Sequence, residues 1–80
     1  MNAARSAKPE VRNPLLRLPS AKEIQALPPE ARAALRNLAM DACKAWRALG
    51  DECWRKNKPP LAAYWRAWSV NARHLARLCR

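Results

Sequence analysis

Two proline pairs, Pro28-Pro29 and Pro59-Pro60, decide most of what this chain can fold into. The residue before a proline is pushed out of the helical region. A proline in the first turn of a helix is harmless, because the N–H it lacks would have no partner there. Each pair therefore ends one element and starts the next. Between the pairs no further proline occurs, and Gly50 is the one glycine of the chain. The first pair opens a long helix, predicted over 29–57, with Glu30 placed favourably against its N-terminal dipole. Its apolar residues Ala31, Leu35, Leu38, Ala42, Trp46, Leu49 and Cys53 recur at helical spacing. Gly50 costs about 1 kcal/mol relative to alanine in such a helix, so a continuous helix is expected, with Gly50-Asp51 the weak point where a kink could fall. The second pair opens a helix over 60–79 with the apolar face Leu61, Tyr64, Trp65, Trp68, Ala72, Leu75 and Cys79. A connection as short as 57–60 between amphipathic helices implies an antiparallel hairpin.

The N-terminal part is built differently. Pro14 and Pro19 bracket Leu15, Leu16 and Leu18 in what reads as an extended segment that must lie on something. Ser20-Ala21-Lys22-Glu23 is a capping-box pattern and starts a short helix over 21–27, which Pro28 ends. Residues 1–13 read as a flexible basic arm with little to pack. The expected architecture is therefore all-α: an antiparallel helical hairpin with a short N-terminal helix, one small domain over 14–80, and the arm at 1–13.

Composition closes off other classes. The chain has 80 residues, and half count as hydrophobic, but 17 of those are alanine and none is phenylalanine. A chain this short buries only about 60% of its unfolded surface, which leaves no room for a two-domain enzyme. The scarcity of β-branched apolar residues argues against a β fold. No apolar run approaches the roughly 18 residues of a membrane span, and the Trp and Leu face is needed for the core, so no membrane partner is expected. Trp46, Trp65 and Trp68 are read as core. Three indoles exceed what one hairpin covers, so either the Leu15/Leu16/Leu18 segment or a second copy of the chain should cover the surplus, the latter giving a homodimer.

Charge narrows the partner. Sixteen Lys and Arg against six Asp and Glu give +10, and no acid follows Glu52. Such a chain is drawn to nucleic acid or to an acidic protein surface. On the last helix Arg66, Arg73, Arg77 and Arg80 fall within one arc, able to track a phosphate backbone, with Arg55 and Lys58 in support. The same arc also suits a merely solvated face. On the long helix Arg32, Arg36, Cys43, Arg47 and Trp54 form a second stripe beside the core face. Trp54 with Arg32, Arg36 and Arg47 is a candidate protein-docking set, because aromatic and arginine anchors carry most interface energy. Alternatively, Trp54 covers the groove between the helices.

Catalysis and metal binding find little footing. His74 is the sole histidine and should lie near the level of Cys43. A Cys–His pair can activate a thiolate, but no orienting carboxamide or carboxylate accompanies it. Cys43, Cys53, His74 and Cys79 lack the spacing of a zinc site. A single glycine excludes a phosphate-cradling loop. The chain is read as non-enzymatic and without cofactor. Three cysteines, an odd number, argue against a closed disulfide framework and for a reducing compartment such as the cytoplasm. Cys53 and Cys79 are expected to face the core and Cys43 to be the more accessible. No secretory leader is visible in the proline- and arginine-bearing start, although its low acid content would also suit a transit peptide.

The stretches Arg12-Asn13-Pro14-Leu15-Leu16-Arg17-Leu18-Pro19-Ser20, Leu27-Pro28-Pro29-Glu30-Ala31-Arg32, Cys53-Trp54-Arg55-Lys56 and Ala62-Ala63-Tyr64-Trp65 resemble those of short helical proteins encoded in phage, prophage and mobile regions of GC-rich proteobacteria. The resemblance covers residues 12 to about 77 and carries no site motif. It implies context: a bacterial or phage-infected host cell, and either a DNA-binding regulator or an inhibitor of a host complex, such as an anti-CRISPR. Many such inhibitors are acidic mimics of nucleic acid. This chain, at +10, departs from that pattern.

Overall fold

A computed structural model describes residues 8–80. The elements are α1 (Pro9–Arg12), a 3₁₀ turn (Pro14–Arg17), α2 (Ala21–Gln25), α3 (Pro29–Arg55) and α4 (Pro59–Leu78), and no strand occurs among the described residues. The long helices α3 and α4 pack against each other as a hairpin. The 3₁₀ turn and α2 pack on α4. Residues 1–7 of the predicted arm lie outside the described residues. The rest of the arm closes into the single turn α1, and the leucine segment is a 3₁₀ turn instead of an extended strand.

Both proline pairs act as the sequence requires. Pro28 is extended (φ −54°, ψ 151°), and a proline stands in the first turn of each long helix. The hairpin turn is tighter than expected because of Asn57. It adopts φ 61°, the left-handed conformation that asparagine tolerates best after glycine. Lys58 N–H then donates to the Cys53 carbonyl at 2.8 Å and Asn57 N–H to that of Trp54 at 3.0 Å. This is a Schellman motif, and it stops α3 at Arg55, short of Asn57. The capping box does not form. Ser20 is itself helical (φ −75°, ψ −5°), and its side chain makes no cap bond. Asn13 takes that role one element earlier: its Oδ1 accepts from Leu15 N–H at 3.2 Å, while its Nδ2 donates to the His74 carbonyl at 2.9 Å. Asn13 is buried, and it anchors the N-terminal segment to α4.

The seam between α3 and α4 overturns the expected core. The periodicity assigned Leu38, Leu49, Leu61, Tyr64 and Trp68 to it, yet Leu38 is 67% exposed and Tyr64 53%. The buried positions are small: Ala39, Cys43 and Gly50 on α3, and Ala62, Ser69, Ala72 and Ala76 on α4. Small side chains let the helix backbones approach. A Cβ on Gly50 would sit 3.3 Å from the Ala62 carbonyl oxygen and 3.0 Å from Arg66 Cγ. Gly50 is thus a point of close approach, and α3 runs on through it. The Ser69 hydroxyl is satisfied locally by the Arg66 carbonyl at 2.7 Å. Cys43 lies in this seam, so it is buried and Cys53 is the more accessible thiol, the reverse of the expectation for that pair; Cys79 is buried, and all three are free.

Candidate nucleic-acid interface

Two helices in contact along a seam leave two grooves, one on each side. Here the two differ completely. On one side Arg36 and Met40 of α3 face Arg73, Ala76 and Arg77 of α4, with Arg80 just beyond it, across a groove of about 350 Å³. A smaller recess of about 200 Å³ continues it past Arg32, Arg36 and Arg80 toward Pro29. On the other side a groove of about 330 Å³ is walled by Leu15, Leu35, Leu38, Trp46, Trp68 and Leu75, and no charged side chain lines it.

The hairpin register makes the arginine groove. Arg36 and Arg77 stand at nearly equal distances from the turn at Asn57-Lys58, so antiparallel packing brings them opposite each other. Arg73, one turn before Arg77, lines the same wall. No acid lines this groove. Neither of the described ion pairs, Lys56–Glu52 at 3.7 Å and Arg66–Asp51 at 3.4 Å, involves these four arginines. Like charges gathered without a counter-charge repel one another, and an anion in the groove relieves that repulsion.

The remaining candidates divide. Arg66 is engaged within the protein: it pairs with Asp51 and lies 5.5 Å over the Trp54 ring, a cation–π contact. Arg32 also serves the fold. Its Nε donates to the Leu27 carbonyl at 3.0 Å and its Nη1 to the Arg80 carbonyl at 2.7 Å, tying the end of α2 to the end of α4. Arg55 and Lys58 stand at the hairpin turn, about 30 Å along α4 from Arg80. Trp54 is 58% exposed and does not fill the groove between the helices. It lies eighteen residues, five full turns, beyond Arg36, so it shares that side of α3 with the arginine groove, as does Arg47. Members of both sets that the sequence separates, Arg36, Arg47 and Trp54 on α3 and Arg73 and Arg77 on α4, thus occupy one side of the hairpin. Met40 joins the groove without any sequence signal. The Arg36–Arg77 juxtaposition has one: equal spacing from the turn.

His74 sits on α4 where the N-terminal segment is tied down, and its Nδ1 is buried without a hydrogen-bond partner. No hydrogen bond joins it to Cys43. Among the described residues no group of three or more His, Cys, Asp or Glu side chains comes together, and no helix is long and apolar enough to cross a membrane.

No family model matches the chain, and no solved structure matches it. The chain is 44% identical over 43 residues to Alsin of Rattus norvegicus, a stretch covering 50% of this chain and 3% of that protein. Against Alsin of Pan troglodytes the identity is 42% over 43 residues, with the same coverage. The chain thus spans about 3% of the length of the curated relatives it matches.

Proposed function

We propose that this is a non-enzymatic nucleic-acid-binding protein of the cytoplasm, and that its arginine groove takes a phosphate backbone. The observation that carries this reading is the convergence of Arg36 of α3, Arg73 and Arg77 of α4, and Arg80 just past the end of α4 on one groove with no acid in its lining. Guanidinium forks suit phosphate geometry, and contacts of this kind hold the backbone without reading sequence. The test is binding to duplex and single-stranded oligonucleotides over a salt series. Neutralising Arg73 and Arg77 should weaken binding to every sequence alike. No binding even at low salt would remove the reading.

A second reading has its own observation. Trp54 is exposed, with the Arg66 guanidinium over its ring. With Arg47 two turns back and Arg36 five turns back on the same side of α3, it forms an aromatic end to a cationic strip suited to an acidic protein surface, as an inhibitor of a host complex such as an anti-CRISPR would need. Under this reading Trp54→Ala abolishes partner binding and leaves oligonucleotide binding unchanged.

A further inference from the structure

The side of the hairpin opposite the arginines is left open. Leu38 (67%), Tyr64 (53%), Leu61 (48%), Trp68 (43%) and Leu49 (37%) are exposed on it. They belong together: Trp68 meets Trp46 edge-on at 5.8 Å and Tyr64 at 6.3 Å, and Leu61 and Leu49 continue the same helical rows toward the turn. With the half-buried groove side chains Leu15, Leu35, Trp46 and Leu75 they form one apolar face. A lone domain seldom leaves so large an apolar patch uncovered. The molecule is a slab 19 Å thin, essentially one layer of helices, whereas a domain core needs two.

We infer that two copies of this chain pack face to face through this apolar side, and that the dimer therefore carries one arginine groove on each outer surface, placed to hold two phosphate backbones at once. The bridging half rests on the nucleic-acid reading above. A second copy suits the face for three reasons. An isologous interface needs a projection and a recess on one patch, and Leu38 stands proud beside the apolar groove. No charged side chain lines that groove, so two chains of +10 meet there without desolvating an arginine. Two slabs back to back set the arginine grooves on the order of 35 Å apart, several Debye lengths at physiological salt. A lipid surface fits poorly: membrane-bound faces keep their cations at the headgroup level, and here they lie on the far side of the slab.

Light scattering of the full chain during size exclusion, over a wide dilution series, tests the dimer. The expected mass is twice the 9.1 kDa of one chain. Leu38→Glu, and independently Leu61→Glu, should halve it while leaving helical circular dichroism unchanged; Arg77→Gln should leave it doubled. A single-chain mass at every wild-type concentration overturns the inference and leaves the face to a different partner. A dimer that survives both glutamates overturns the choice of face. Energy transfer between two labelled duplexes tests the bridge. The wild type should bring them together, and Leu38→Glu should bind each without joining them. A wild-type dimer that binds duplex but never joins two overturns the outward placement. A dimer that binds no nucleic acid removes the proposed function and supports the interface alone.

Discussion

The two sides of the hairpin share one seam and nothing else. One presents Arg36, Arg73, Arg77 and Arg80 around a groove, and the other presents leucine and aromatic side chains with no charge among the groove lining. The difference follows from how the seam is made. Had the large apolar residues filled it, both flanks would be polar and the chain would be an ordinary small bundle. Alanine, cysteine, serine and glycine fill it instead, so Trp46, Trp68, Leu35, Leu38 and Leu75 are displaced to one side, and the arginines, with Trp54, hold the other. Two helices closed by small residues give a thin scaffold with both faces available for contacts.

The sharpest way to break the comparison is to break the seam, which both faces depend on. Ala62 is 1% exposed. Ala62→Leu should cost about 3 kcal/mol through overpacking, read as a lower urea midpoint, whereas Ala63→Leu on the exposed side should change little. Next in size is the anchor of the N-terminal segment. Asn13→Ala removes a part-buried hydrogen bond to the His74 carbonyl and a turn cap, a loss of about 2 kcal/mol. Proteolysis should then cut near residues 13–20 first, and the Leu15 wall of the apolar groove should be lost.

Trp68→Ala separates a core residue from a face residue. A fully buried tryptophan would cost about 3–5 kcal/mol. With Trp68 43% exposed, the expected loss is about 1–2 kcal/mol, measured in the Leu38→Glu background so that association does not contribute. The smallest effect belongs to Asp51→Asn. Its pair with Arg66 is half exposed on both sides, so stability should shift by less than about 1 kcal/mol. Freed from its carboxylate, Arg66 should join the cationic side and steepen the salt dependence of duplex binding by up to about one unit.

Much of the architecture is legible in the proline pairs, because proline acts locally: Pro29 and Pro59 start their helices whatever surrounds them. The turn residue is harder to read. Asn57, read as the last helical residue, is the left-handed C′ residue instead; asparagine there with a proline two residues beyond is a local helix-stop signal that periodicity alone passes over. The core is misread for a definite reason. Hydrophobic periodicity finds the face with the large residues, but which face meets the neighbouring helix depends on how closely the backbones can approach, and Gly50, Ala62 and Ala76 settle that. The arginines of α4 are legible as an arc. Their meeting with Arg36 requires the hairpin register, and the withdrawal of Arg66 and Arg32 into ion-pair, cation–π and carbonyl contacts requires the fold itself.

The central claim is that the arginine groove binds phosphate independently of the apolar face. The log–log salt dependence of duplex binding, measured for the wild type, for Arg73→Gln with Arg77→Gln, and for Leu38→Glu, tests it most directly. Each phosphate contact contributes about 0.9 to the slope. The double arginine variant should therefore flatten it by about two units, and Leu38→Glu should keep the wild-type slope per chain. An unchanged slope after both arginines are neutralised, or a slope that collapses with Leu38→Glu, would contradict the account.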